Sequence, residues 1–112
     1  DVVWECSKKL GFLTGEENRE MREAHTQAVI VVGEPFALKK PFDFGNQNLT
    51  DRIYKFMPIM FKHRLKAPPP EVYSLHRILS GAYLMCMKLK ARVNVGQIFD
   101  NVYRDAIRIN KQ

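Results

Sequence analysis

The segment from Glu71 to about Ala91 constrains the fold of this 112-residue chain more than any other part of it. Apolar residues recur along the segment at alternating spacings of three and four, which is the repeat of one face of an α-helix. These residues are Val72, Leu75, Leu79, Ala82, Cys86 and Leu89. From Ala82 to Met87 the segment is apolar all round, a pattern that indicates burial on more than one side. Gly81 lies in mid-helix at a cost of about 1 kcal/mol relative to alanine, so we expect a neighbouring helix to approach closely there.

Prolines mark the start of this helix and interrupt the one before it. The connector "APPPE", residues 67–71, is stiff because each proline fixes its own φ and restricts the residue that precedes it. Pro70 suits the first helical position, and Glu71 is favourable beside a helix N-terminus. The preceding helix is predicted to begin at Thr50. Pro58 lies inside it and removes a backbone hydrogen bond to Tyr54, so we expect a kink or a break there.

A capping box predicts the start of an earlier helix. Thr14 and Glu17 are three residues apart, so Thr14 can accept from the backbone N–H of Glu17 while Glu17 reaches back. Glycine is favoured at the position just after a helix, and proline cannot continue one, so we expect this helix to end at Gly33, before Pro35. Its predicted buried face consists of Met21, Ala24, Ala28, Val29 and Val32.

Two terminal helices complete the set. Val2 to about Leu10 predicts a first helix, and Asn94 with Gln97 resembles a capping box for the last one. The predicted buried stripe of the last helix consists of Val95, Ile98, Phe99, Val102, Ala106 and Ile109. The chain is therefore predicted to be all-α, a single helical segment over residues 1–112 with about five helices. Residues 34–49 lack periodicity and predict a long loop, of the kind that is functional or lies against something outside the chain.

The net charge of +6 is unevenly distributed. Residues 1–34 carry four Lys and Arg against seven Asp and Glu (−3), whereas residues 35–112 carry fourteen against five (+9). A basic half can face phosphates, anionic lipid or an acidic partner. Within it, Lys62, Arg64 and Lys66 are candidate contacts to an anionic surface. The aromatic residues nearby fall on the predicted buried face of their helix, so no stacking platform for nucleic acid is expected.

The residue pattern gives little support for a metal site or for a nucleophilic cysteine. His25, His63 and His76 are far apart, and Cys6 and Cys86 have no ligand spacing, so no metal site is predicted. The histidines are interpreted as helix-surface or core-edge residues, and Cys86, on an apolar stripe, as inert. Two separated thiols fit a reducing compartment at least as well as a disulfide. No run of about 20 apolar residues is present to span a bilayer.

Asp43-Phe44-Gly45 spells the magnesium-binding triplet of protein kinases. In a kinase a catalytic loop of the form His-Arg-Asp lies upstream of that triplet, as do a glycine-rich phosphate loop and a nucleotide lysine. None of these precedes Asp43, and the two His-Arg pairs of the chain lie downstream without a following aspartate. We therefore interpret the triplet as non-catalytic and assign no catalytic, cofactor-binding or metal-binding residue to this chain.

Three segments resemble the C-terminal part of the UbiB family. They are "LGFLTGEENREMREAHTQAVIVVGEPF", "GEPFALKKPFDFGNQN" and "PPPEVYSLHRILSGAYLMCMKLKARVN". The family comprises aarF-domain atypical kinase-like proteins that support coenzyme Q (ubiquinone) biosynthesis. The resemblance covers nearly the whole chain and is closest to eukaryotic mitochondrial members. The chain departs from the pattern at Ile78, where relatives more often have lysine, and at Ser80, where they more often have glycine.

The resemblance implies a protein-kinase-like fold, of which this chain is the C-terminal part of the larger lobe. It implies a parent that binds ATP or ADP with Mg²⁺ and acts as an ATPase at the matrix face of the inner mitochondrial membrane. The implied partners are the rest of the kinase-like domain, proteins of ubiquinone biosynthesis and anionic inner-membrane lipid. The family's nucleotide lysine, alanine-rich phosphate loop, Lys-x-Gly-Gln extension and catalytic triplet would all precede this chain. The start at Asp1 fits either a removed leader or a piece of a longer protein.

Glu71, His76 and Arg77 are predicted to form a structural polar cluster that pins the proline-rich turn to the long helix. Their spacings of five and six residues are too long for an i, i+4 pair, so we expect their partners elsewhere, around Asp43. The alternative interpretation of the whole chain is a basic helical module that docks on an anionic membrane or a protein partner, with nucleic acid less favoured.

Overall fold

A computed structural model describes residues 2–111 of the chain. In chain order these residues form α1 (Val2–Leu10), α2 (Arg19–Ala37), β1 (Phe42–Asp43), α3 (Leu49–Tyr54), α4 (Met57–His63), α5 (Pro70–Lys88), β2 (Arg92–Val93) and α6 (Val95–Asn110). The predicted all-α class with about five helices is confirmed. A sixth helix arises because the expected break near Pro58 divides one predicted helix into α3 and α4, with Pro58 in the first turn of α4.

The local end signals fix most helix boundaries. Pro70 occupies the first turn of α5, as predicted, and α1 ends before Gly11, whose φ of +87° few other residues adopt. The Asn94 side chain accepts from the backbone N–H of Gln97 at 3.1 Å and caps α6. No described helix is long and apolar enough to cross a membrane.

Both predicted ends of α2 are wrong. Glu17 does reach back to the Thr14 backbone N–H at 2.6 Å, but the helix begins later, where Asn18 accepts from the N–H of Met21. At the other end α2 passes through Gly33 and Pro35 and continues to Ala37. Pro35 is fully buried, and this burial offsets the roughly 3 kcal/mol that proline costs inside a helix.

The predicted loop at about 34–49 is correspondingly shorter. It spans residues 38–48, and its centre is ordered as strand β1, which pairs antiparallel with β2. Phe42 lies opposite Val93 and Asp43 opposite Arg92. The connection is therefore tied to the segment that joins α5 to α6.

The core forms where α2, β1, α3 and α5 meet. Val31, Phe42, Phe44, Leu49 and Tyr83 are buried there, and Leu49 is 0% exposed. The Phe44 ring lies 4.9 Å from that of Phe42 and 5.5 Å from that of Tyr83, both edge-on. This aromatic cluster attaches the β1 turn and α5 to the middle of the molecule.

Several predicted buried faces are exposed. On α2, Val31 is buried where Val29 was predicted to be. On α5, Leu75, Ala82 and Leu89 point to solvent, and Gly81 has no neighbouring atom within 4 Å of where its Cβ would lie. On α6 the predicted stripe is largely exposed after its first turn. The burial predicted from periodicity is therefore wrong for these residues in the part of the chain that the structure describes.

Candidate functional site

The Asp-Phe-Gly triplet lies at the end of β1, and its aspartate organises the turn that follows. Asp43 Oδ1 accepts from the backbone N–H of Gly45 at 3.1 Å, and Oδ2 accepts from the Asn46 side chain at 2.7 Å. Arg92 Nη2 lies 3.3 Å from Oδ2, across the β1–β2 pair. The hydrogen bond from Asn46 is the main cause that holds the pKa of Asp43 below its usual value, and the charge of Arg92 acts in the same direction. Both carboxylate oxygens are therefore engaged by donors within the turn.

The other two letters of the triplet also serve the fold. Phe44 is 2% exposed in the aromatic core, and its backbone N–H donates to the Ala91 carbonyl at 3.0 Å. A Cβ on Gly45 would lie 2.9 Å from that of Lys90, so only glycine fits against this neighbour. The triplet is a structural turn that joins β1 to the α5–α6 connection.

The surroundings of Asp43 carry both acidic and basic side chains. An open depression of about 500 Å³ borders Asp43 and is also lined by Glu34 and Lys40. The Glu34 carboxylate accepts hydrogen bonds from the guanidinium of Arg52, which balances its charge. Among residues 2–111, no group of three or more His, Cys, Asp and Glu side chains could hold a metal ion.

A second, apolar cleft of about 150 Å³ lies between α2, α3 and α5. Leu49, Ile53, Leu79 and Met87 are among the residues that line it, and His76 lies at its edge. The volume suits one apolar ring or side chain, by comparison with cavities of similar size that hold benzene. It is too small for a nucleotide.

Tyr83 connects this cleft to the core and was missed by sequence reasoning. Its hydroxyl donates to the Val32 carbonyl of α2 at 2.6 Å, and burial raises the pKa of the phenol. The available signal was a hydroxyl-bearing residue within the all-round apolar stretch at 82–87, where a buried polar group needs a partner.

The predicted polar cluster lies on the surface of α5. Glu71, His76 and Arg77 are all exposed. The Arg77 guanidinium lies 5.9 Å from the Tyr73 ring centre, and the His76 ring meets that of Phe12 edge-on at 6.2 Å. Within residues 2–111, the groups that donate to Asp43 belong to Gly45, Asn46 and Arg92, not to the predicted cluster. The mutual role of Glu71, His76 and Arg77 stays a prediction for the longer protein.

The three candidate basic residues differ in accessibility. Lys62 and Lys66 are exposed, and neither is paired with an acidic side chain within residues 2–111. Arg64 is half-buried and lies near His25, whose charged form it disfavours.

His25 is buried, not a helix-surface or core-edge residue as predicted. It is 3% exposed, and its Nε2 lies 2.9 Å from the hydroxyl oxygen of buried Ser7, which joins α2 to α1. Burial is the main cause that lowers the pKa of His25. Its Nδ1 atom has no hydrogen-bond partner. The Ser7–His25 pair is therefore a buried polar contact between α1 and α2, not an accessible nucleophile.

Similarity to known proteins identifies the family. The chain is 47% identical over 105 residues to "Atypical kinase coq-8, mitochondrial" of Caenorhabditis elegans, a match that covers 94% of this chain and 14% of the relative. It is 50% identical over 102 residues to "Atypical kinase COQ8B, mitochondrial" of Danio rerio, covering 91% and 16% respectively. The chain belongs to the UbiB family of atypical kinases. No protein-family model matches it.

A match to a fungal UbiB member likewise covers most of this chain and a small part of the relative. "Atypical kinase COQ8, mitochondrial" of Saccharomyces cerevisiae is 41% identical over 103 residues, covering 90% of this chain and 21% of the relative. The chain therefore spans about a fifth or less of the length of the curated relatives that it matches. The expected membership of the UbiB family is confirmed.

Proposed function

We propose that this chain is a non-catalytic helical part of the kinase-like domain of a longer UbiB protein. One observation carries the proposal: identity of 41–50% extends over about 90% of the chain, yet the chain spans only 14–21% of its relatives. Most of a kinase-like domain would then lie outside these residues, including the parts that handle nucleotide. The engagement of Asp43 by its own turn supports this assignment.

In this proposal the parent is an atypical kinase-like ATPase that supports ubiquinone biosynthesis. ATP or ADP with Mg²⁺ would bind to residues outside this chain, in mitochondria, at the matrix face of the inner membrane. The chain would act as the C-terminal helices of the larger lobe, supporting the catalytic centre from behind. Glu71, His76 and Arg77 would pin the proline-rich turn to α5, with partners in the rest of the domain and in other proteins of the pathway.

A thermal melt of this chain by circular dichroism, with and without Mg-ATP, tests the non-catalytic assignment. A ligand present at a concentration of 100 times its Kd for the folded state adds about 2.7 kcal/mol to the free energy of unfolding. The resulting shift in the melting midpoint is easily resolved. We expect a helical spectrum and a midpoint that ignores the nucleotide. An upward shift that Asp43→Asn abolishes would contradict the proposal and assign the triplet to the metal. The Asn46→Ala variant, which loosens the turn but keeps the carboxylate, is the matched control.

The exposed basic residues favour a second candidate, a docking surface for anionic membrane. Lys62 and Lys66 are free to contact lipid phosphates, and Arg64 is partly so. Co-sedimentation with neutral vesicles and with vesicles rich in anionic lipid distinguishes this role. Binding to the anionic vesicles alone that salt weakens, and that Lys62→Ala with Lys66→Ala removes, would support it. Equal binding by the double variant would exclude these residues as the contact.

A further inference from the structure

Helix α5 carries two apolar faces, only one of which is covered. The covered face packs on the core between α2 and α3 through Leu79, Tyr83, Cys86 and Met87, all buried or half-buried. Roughly a quarter of a turn round the helix lies a second face, which we name the α5 seam. It consists of Leu75, Ile78, Ala82 and Met85 in α5, and of Leu89, the residue that caps the C-terminal end of the helix.

The α5 seam is open to solvent along its whole length. Leu75 is 67% exposed, Ile78 70%, Met85 64% and Leu89 73%. At a rise of about 1.5 Å per residue, the seam runs for about 21 Å. Contiguous apolar surface on this scale marks an interaction site.

The spacing within the seam selects the kind of partner. Residues 75, 78, 82, 85 and 89 alternate by three and four, the a and d positions of a heptad. That repeat keeps apolar residues facing a second helix, in which each side chain enters a hole between four others.

The middle and the ends of the seam add detail to this partner. Ala82 at the centre is small, and next to it Gly81 has open space where a Cβ would lie, so a facing helix can approach closely there. Glu71 lies in the first turn of α5 and Lys88 in the last, and both are exposed. A partner with an acidic residue opposite Lys88 and a basic one opposite Glu71 would be complementary in charge.

We propose that the α5 seam is a helix-docking surface whose occupant is an amphipathic helix from the part of the kinase-like domain outside this chain. This inference rests on the proposed function. The relatives supply the argument for that occupant, because the chain spans only 14–21% of their length. A helix that is apolar all round is characteristic of the core of a larger protein, and α5 is such a helix between Ala82 and Met87.

A chimera tests the proposal. The matched 102-residue region of the Danio rerio relative is replaced by that of this chain, and Met85→Glu is introduced into the chimera and into the chain alone. In the chain alone the melting midpoint should stay within about 2 °C, because Met85 is mostly exposed. In the chimera it should fall by about 5 °C or more, because the charge would enter an apolar interface.

Tyr73→Glu is the matched control, since Tyr73 is 52% exposed on the opposite side of α5. It should change neither midpoint by more than about 2 °C. Leu75→Glu, at the other end of the seam, should repeat the difference between chimera and chain. Complete loss of folding of the Met85→Glu chimera, with the Met85→Glu chain still folded, supports the proposal equally.

Equal small shifts of Met85→Glu in both proteins would overturn the proposal. So would a discrete dimer of the chain alone that Met85→Glu dissociates in sedimentation, because a second copy would then be the occupant. The proposed function fails separately, if the unaltered chimera does not restore ubiquinone formation in cells that lack the relative. That result leaves the comparison of midpoints intact.

Discussion

Tyr83 is the residue that most directly ties two distant parts of the chain together. Its ring lies between Phe36 and Phe44, and its hydroxyl donates to the Val32 carbonyl at 2.6 Å. The covered face of α5 is thereby fixed to α2 by a directional bond as well as by packing. A buried tyrosine whose partner is a backbone carbonyl of another helix sets the rotation of α5 about its axis.

The Tyr83→Phe substitution tests this bond. It keeps the ring but removes the donor, so we expect a loss of about 1 kcal/mol in the free energy of unfolding and a midpoint lower by roughly 4–8 °C. The control is Tyr73→Phe, since Tyr73 is 52% exposed and should change little. Urea denaturation of both variants gives the comparison. Equal stabilities of the two would show that the Tyr83 hydroxyl contributes nothing net.

The burial of His25 leads us to expect that the stability of the folded chain depends on pH. Because burial lowers the pKa of His25 in the folded chain, the unfolded chain binds its proton at higher pH than the folded chain does. Stability is therefore unaffected by this group above the ordinary pKa of 6.5, and falls as the pH drops from there to the lower folded value. The nearby charge of Arg64 reinforces the effect and that of Glu17 opposes it.

Melts at about pH 7.5 and about pH 5 on the chain and on His25→Gln measure this contribution. Glutamine can keep the hydrogen bond to Ser7 but does not titrate. The fall in midpoint between the two pH values should be smaller in the variant. The same fall in both would place the acid sensitivity in other groups.

Among the helices, α6 is held chiefly at its first turn. Gly96 is buried there, and a Cβ on it would lie 2.8 Å from the Phe36 carbonyl oxygen and closer still to that of Leu38. A Lys39–Asp100 ion pair at 2.5 Å follows, and beyond it residues 101–110 are all exposed. The close helix approach expected at Gly81 is found instead at Gly96.

Substitution of these two glycines by alanine is expected to have opposite effects on the free energy of unfolding. Gly96→Ala forces a methyl group against backbone carbonyls that cannot turn aside, so we expect a loss of about 1–3 kcal/mol. Gly81→Ala, with no atom within 4 Å, should gain about 0.5–1 kcal/mol from helix propensity. Thermal or urea unfolding of the chain alone checks both. A gain for Gly96→Ala would mean that α6 does not dock where it is placed.

For the molecule as a whole, the exposed apolar surface is the dominant property. The apolar faces of α5 and α6 include Leu75, Ile78, Met85, Leu89, Ile98, Phe99, Val102 and Ile109, each at least 47% exposed. This surface, together with the net charge of +6, is the reason to expect a partner.

An apolar dye such as ANS should fluoresce with the folded chain because of these faces. Met85→Glu should reduce the signal, whereas Tyr73→Glu should leave most of it. The cooperativity of the melt must be retained in each variant, so that the dye reports the native surface. No difference between the variants would place the dye elsewhere, for instance on α6 or in the apolar cleft.

The amino-acid sequence was enough to predict the helices, most of their ends, and the family. Pro70 at the start of α5, the break near Pro58 and the Asn94 cap of α6 were all predictable, because caps and prolines act through neighbours within four residues. The family followed from segments that extend over nearly the whole chain. The non-catalytic interpretation of Asp43-Phe44-Gly45, which rests on the missing upstream motifs, stays a prediction.

Which helix faces are covered, and how Asp43-Phe44-Gly45 packs, depends on contacts that form only in the folded chain. The passage of α2 through Pro35 depends on burial by distant residues, and the Asp43 turn depends on Arg92, 49 positions along the chain. Likewise, periodicity indicated that α5 is apolar on several sides but not which side meets α2. Such choices are made by contacts between segments far apart in sequence, whereas helix propensity and capping involve neighbouring residues alone.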